Sequence, residues 1–135
     1  MLEDIFRDTK YLEKGLDASW TRHQVILNNI ANADTPGFKT SHVEFEDAFK
    51  QALEQGDFAA RKTRKGHMNI GSPSVDDVPV QIVQDSNTTM RMDGNNVDID
   101  HEMTELAKNN IYYDTLVQKL TSEYNRLRLA ITEGK

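Results

Sequence analysis

Residues 99–131, IDHEMTELAKNNIYYDTLVQKLTSEYNRLRLAI, decide the fold. Taking Ile99, Met103, Leu106, Asn110, Tyr113, Val117, Leu120, Tyr124, Leu127 and Ile131, the spacing alternates four and three residues without a slip, and nine of the ten are apolar or aromatic. A heptad pattern of this kind keeps one stripe of a helix facing a partner helix. At about 1.5 Å per residue the segment makes a rod of roughly 50 Å. No Pro or Gly interrupts it, and Gly134 stands where a helix should stop. At its start either Asp98 or Asp100 can cap, and Asp100 and Glu102 put negative charge at the positive end of the helix dipole. A long helix with one apolar stripe is not stable alone in water, so something must cover it.

Working outward, the same spacing recurs at the other end of the chain, in Leu2, Ile5, Thr9, Leu12, Leu16, Ser19, His23, Ile26, Ile30 and Ala33. Seven of these ten are apolar, which makes this the softer seam. Phe6, Trp20 and Leu27 lie seven or fourteen residues apart and form a second stripe beside it. A two-helix hairpin needs one stripe per helix, so the surplus calls for a third surface. His23 reads as a packed histidine, because no partners stand at metal-ligand spacing. Gly15 weakens the first helix locally by up to about 1 kcal/mol relative to Ala. Breakers then accumulate at Asn28, Asn29, Asn32, Asp34, Thr35, Pro36 and Gly37, and Pro36-Gly37 suits the two central positions of a type II turn. Asn28 and Asn32 stand one helical turn apart; their amides either bond a neighbouring helix or subunit, or simply end the helix.

The expected architecture is therefore mainly α. Two long terminal helices pair as an antiparallel coiled coil, and an irregular middle carries a short helix and a possible β-hairpin. The boundaries expected are 1–33 for the N-terminal helix, 34–97 for the turn and the loop insert, and 98–135 for the C-terminal helix. Within the insert, Phe45, Phe49 and Leu53 repeat every four residues and predict a short helix ended by Gly56. Arg61 to Lys65 is basic and reads as a solvated loop, since no aromatic platform or Gly-rich cradle accompanies it. Residues 66–77 read as loop. Val78, Val80 and Ile82 alternate, Asp85-Ser86-Asn87 offers a turn, and Met90 and Met92 alternate again. This fits either a hairpin or an extended arm lying on a neighbour.

Composition narrows the function. With 135 residues and 37% hydrophobic content, the chain holds one modest core. A mean hydropathy of −0.68 suggests an elongated protein completed by neighbours. A net charge of −6 argues against nucleic acid as a partner. No run of eighteen apolar residues is present to insert in a membrane, and the N-terminus lacks the apolar core of a signal peptide. The absence of cysteine excludes disulfides and thiolate chemistry. Apparent sites fail on spacing. His101-Glu102 begins like a zinc-protease HExxH, but position 105 is Glu. Asp93 to Asp100 is rich in oxygen ligands, but a calcium loop counted from Asp93 meets Val97, Asp98 and Thr104 at its fifth, sixth and twelfth positions. No GxSxG, P-loop or GxGxxG occurs, and Asn87-Thr88-Thr89 is a formal glycosylation sequon that arises often by chance. The expectation is no catalytic residue, no cofactor and no metal.

Asn28-Asn29-Ile30-Ala31-Asn32-Ala33-Asp34-Thr35-Pro36-Gly37-Phe38-Lys39 resembles the N-terminal signature of the bacterial flagellar rod, hook and distal-rod proteins. Asn95-Asn96-Val97-Asp98-Ile99-Asp100, followed by Glu102-Met103, Leu106-Ala107 and Asn109, is similar to the C-terminal part of a proximal rod member. The resemblance covers both termini, roughly two thirds of the chain. It implies a structural, non-enzymatic subunit of the flagellar basal-body rod, within the cell envelope or periplasm, polymerising through its terminal helices. The implied partners are further copies, other rod proteins, the adaptor protein of the MS ring and the flagellar export apparatus, with export as a type III substrate lacking a cleaved signal. The assembly interface expected comprises Ile5, Leu12, Leu16, Trp20, Ile26, Asn28, Asn32, Pro36, Gly37, Leu106, Tyr113, Val117, Leu120, Tyr124 and Leu127. A soluble helical adaptor or export chaperone explains the heptads but not the Asn-rich signature, and an enzyme with a divergent site has no motif behind it.

Overall fold

The computed structural model describes residues 2–55 and 78–133, with side chains over 8–53 and 78–132. It is mainly helical: α1 (Leu2–Ala31), β1 (Ser41–Glu44), α2 (Glu46–Gln55), β2 (Gln81–Gln84) and α3 (Ile99–Glu133). The two long terminal helices run in opposite directions against each other, with Asn29 bonding Glu102, Ser19 bonding Asn109 and Glu13 bonding Tyr124.

The seam expected on α1 is the one the fold uses. At every expected position with a described side chain, from Thr9 through Leu12, Leu16, Ser19, His23, Ile26 and Ile30 to Ala33, the residue is buried or half-buried. The side chains of Leu2 and Ile5 fall outside the described residues. On α3 the seam is rotated. Apart from Glu105, which is also half-buried, the covered positions are Glu102, Leu106, Asn109, Tyr113, Leu116, Leu120, Glu123 and Leu127, again alternating four and three. That stripe shares Leu106, Tyr113, Leu120 and Leu127 with the expected one but is turned by roughly 50°, at about 100° per residue. Ile99, Met103, Val117, Tyr124 and Ile131 are left exposed. The cause is local: Gly15 lets α3 come close, with Leu116 Cδ1 3.4 Å from where a Cβ on residue 15 would stand. Ser19 fixes the register through Asn109, not Asn110.

A second layer covers another side of α1. Ala18 and Val25 pack with Val43, Phe45, Ala52 and Val78, and Tyr11, Phe49 and Val80 lie against this cluster. The Phe45 and Phe49 rings stack at 4.8 Å, and Tyr11 meets Phe49 edge-on at 6.4 Å. The short helix expected from Phe45, Phe49 and Leu53 is α2, with Glu46 and Asp47 in its first turn favouring the dipole. Glu46 also takes an ion pair from Arg22. Gly56, the basic run 61–65 and the loop 66–77 lie outside the described residues, as does Gly134.

The hairpin expected between the 78–82 and 90–92 stretches does not form. β2 pairs antiparallel with β1, Ser41 opposite Gln84 and Glu44 opposite Gln81, and the Asp85 N–H to Thr40 carbonyl bond extends the ladder. Asp85 then bends the chain away by accepting from Asn87 N–H and the Thr88 hydroxyl. Met90 and Arg91 N–H turn back to the Asn95 carbonyl instead of joining a strand. The Pro36-Gly37 turn is as expected: Phe38 N–H bonds the Thr35 carbonyl, and Gly37 sits at φ 71°. Nothing lies within 4 Å of a Cβ added there, so Gly37→Val meets backbone strain alone, about 1–3 kcal/mol. Urea unfolding should show that loss, and an unchanged midpoint would contradict the turn.

Candidate functional site

Two features stand out: a buried polar junction where the two signature stretches meet, and the apolar stripes left outside. The junction is built from asparagines that imitate peptide groups. Asn29, near the end of α1 and 1% exposed, bonds Ser41 as a strand would. Its Oδ1 accepts from Ser41 N–H at 3.0 Å and its Nδ2 donates to the Ser41 carbonyl at 2.8 Å. Nδ2 also donates to Glu102 Oε1 at 3.2 Å. Asn96 accepts from Thr40 N–H at 2.7 Å and donates to the Asp85 carbonyl and the Thr88 hydroxyl. Asn95, fully buried, donates to the carbonyls of Asn32, Ala33 and Thr35 at 2.9–3.1 Å and accepts from Val97 N–H. Arg91 adds bonds to the Ala33 carbonyl and Asp34. The Pro36-Gly37 turn docks on the next one, since Gly37 N–H bonds the Asp93 carbonyl. Gly94, at φ 83°, would put a Cβ 3.7 Å from the Gly37 Cα. Asp98 caps α3 through the N–H groups of Asp100 and His101. Among the described side chains, no buried polar atom is left without a partner.

Glu102 is the titratable member. It is 8% exposed, and burial pushes its carboxyl above the ordinary range. The Asn29 amide and nearby His101 oppose that rise, while Glu105 and Asp98 reinforce it. The folded chain thus holds this proton more tightly than the unfolded one. The charged form lowers stability above the folded pKa, and this penalty is relieved as pH falls from there toward the ordinary carboxylate value. Glu102→Gln is accordingly expected to raise the melting temperature at neutral pH, with the gain over wild type shrinking in acid. A neutral-pH loss would mean that the bond from Asn29 outweighs desolvation.

The expected interface residues fall into three groups. Leu12, Leu16, Ile26, Leu106, Tyr113, Leu120 and Leu127 are buried or half-buried between elements of this chain. Trp20, Val117 and Tyr124 remain 54%, 38% and 46% exposed, beside Leu27, Met103 and Ile131. Trp20 stacks on His23, and the Tyr124 hydroxyl donates to Glu13 at 2.6 Å. The third group is the turn. Asn28 and Pro36 are exposed, and the Asn32 amide bonds the carbonyl of Asn28 within its own helix. Ile5 has no described side chain. Asn29, Asn95, Asn96 and Asn109 were not expected as contacts; the two signature stretches contain all four, but their partners are distant in sequence, and Ser19 was expected only as a seam position. Among the described residues no group of three His, Asp or Glu is placed to hold a metal, and no helix is long and apolar enough to cross a membrane.

The fold and site define a class: a long antiparallel helix pair, locked at one end by side chains acting as backbone and carrying apolar stripes along its outside. A family model described as flagella basal body rod protein matches residues 13–39, most of α1 and its turn. Along nearly its whole length the chain is similar to the flagellar basal body rod protein FlgB of Bacillus subtilis strain 168, 40% identical over 92% of each chain. The FlgB of Borreliella burgdorferi is 30% identical, over 96% of this chain and 99% of that one. For the FlgB of Escherichia coli K12 the identity is 24% over 99% of each. The chain belongs to the FlgB family of flagellar basal body rod proteins.

Proposed function

We propose that this protein is a structural subunit of the proximal flagellar rod, not an enzyme, and that it polymerises through its terminal helices. The observation that carries this reading is the contrast between a fully satisfied polar junction and two unlike exposed stripes, Trp20 with Leu27 on α1 and Met103, Val117, Tyr124 and Ile131 on α3. Two different faces that meet each other build an open array, whereas one self-complementary face closes a dimer. In this reading α1 and α3 pair as an antiparallel coiled coil through Leu12, Leu16, Ile26, Leu106, Tyr113, Leu120 and Leu127. Trp20, Val117 and Tyr124 then meet further copies and other rod proteins. In the same reading the subunit sits at the MS-ring end, next to the ring's adaptor protein, and is delivered by the flagellar export apparatus.

Val117→Asp tests this, because Val117 is 38% exposed and lies off the covered stripe of α3. The purified variant should unfold within about 0.5 kcal/mol of wild type, as surface changes do. In a strain lacking the native gene it should give no rods and no swimming. Normal rods and motility would count against the stripe as an assembly face.

A further inference from the structure

The last carbonyls of α1 are met locally, Asn28 and Asn29 by the Asn32 N–H, Asn28 again by the Asn32 amide, and Ile30 by the Ala33 N–H, but the turn that follows is tied to a distant group. Helices commonly end on a residue at positive φ that satisfies the last carbonyls. Here the described residues at positive φ are Gly37 and Gly94, neither directly after Ala31. The chain instead unwinds through short turns, Ala33 N–H to Ile30 carbonyl and Thr35 N–H to Asn32 carbonyl. The carbonyls of Asn32, Ala33 and Thr35 converge on one group, the Asn95 amide, which lies about sixty residues further along the chain. Asn95 is 0% exposed, so water does not substitute for it. Its Oδ1 at the same time holds Val97 N–H at 2.6 Å, directly ahead of the Asp98 cap of α3. One side chain therefore ties the turn after α1 to the approach to α3.

We propose that Asn95 is a positioning residue that fixes the turn after α1 from a distance. The 32–38 turn then takes its course only once the loop 90–97 has docked. Opening of that turn and undocking of the 90–97 loop are thus one event. This concerns the free chain and stands whether or not the stripes are assembly faces.

The chemistry of the amide supplies the test. Asn95→Ala removes donor and acceptor together. Asn95→Asp keeps the acceptor for Val97 N–H but turns a negative oxygen toward three carbonyl oxygens. If donation to the turn is what matters, Asp is the worse replacement at neutral pH; if holding Val97 or filling space matters, Asp is the better one. The readout is amide exchange by NMR on the full chain, corrected for intrinsic rates, at Ala33, Thr35, Gly37 and Phe38. Residues 16–27 serve as the internal reference. We expect these four amides to exchange about tenfold faster in Asn95→Asp than in Asn95→Ala, with the reference little changed. Lowering the pH enough to protonate the new carboxyl should return part of the protection. Asn96→Ala, which loses bonds to Thr40, Asp85 and Thr88 instead, should spare the four amides. Equal or slower exchange in Asp than in Ala overturns the proposal. So does a uniform rise that includes residues 16–27, or outright unfolding of both variants, since either makes Asn95 a general packing residue.

Discussion

Asn29→Leu should cost this protein about 3–5 kcal/mol of stability, although the new side chain is of similar size and the site lies in a helix. The substitution strips Ser41 of both main-chain partners and removes the amide facing the Glu102 carboxylate. Each orphaned buried group costs about 1–3 kcal/mol, and a buried carboxylate deprived of its donor more. The adjacent Asn28 makes the control. Its side chain is exposed, so Asn28→Leu should shift stability by no more than about 0.5 kcal/mol. Urea unfolding of the pair followed by circular dichroism gives the comparison. Similar midpoints for the two variants would mean that the junction contributes little.

The second large effect is at Leu120, half-buried against α1 and flanked on the same face by Leu116 and Leu127. Leu120→Asp puts a carboxylate into the contact between the long helices, where burying it unpaired costs several kcal/mol or forces protonation. In a polymer the penalty recurs in every subunit, so complementation should yield neither rods nor swimming. His101→Ala is the counterpart. That ring is exposed, and the bond His101 gives to the Asp98 cap comes from its main-chain N–H, which alanine retains. The histidine variant should therefore swim. An essential His101 beside a dispensable Leu120 would point to a chemical site in place of a helix contact.

The comparison of these two residues also shows where pattern reading works. Leu120 is found from spacing because burial of a large aliphatic side chain is what the heptad signal measures. The α1 seam and the Pro36-Gly37 turn were legible for the same kind of reason: each depends on near neighbours. The α3 seam lies about 50° from the apolar heptad, since Glu102, Asn109 and Glu123 occupy covered positions that a search for apolar residues rejects. Nothing in the sequence separates Asn109 from Asn110; what does is Ser19, ninety residues away. β1 was missed because Ser-His-Val-Glu holds a single apolar residue and its partner strand lies across the α2 insert. The junction was visible as two signatures but not as one site. A side chain that imitates a peptide group leaves no periodicity, and its partners are identifiable only once the chain has folded.

The short ladder between β1 and β2 bears on how such a chain tolerates growth. Because Glu44 lies opposite Gln81, the chain departs and returns at neighbouring points, and whatever lies between is a closed excursion. By chain entropy alone, lengthening a closed excursion costs little, about 0.6 kcal/mol for each doubling of its length. One residue added within α3 between Glu102 and Leu127 would instead turn every later side chain by about 100° and destroy the match to α1. A peptide tag inserted between α2 and Val78 would therefore leave the spacing of the long helices unaltered, whereas one placed within α2 would disturb the cluster of Phe45, Ala52 and Val78 on α1.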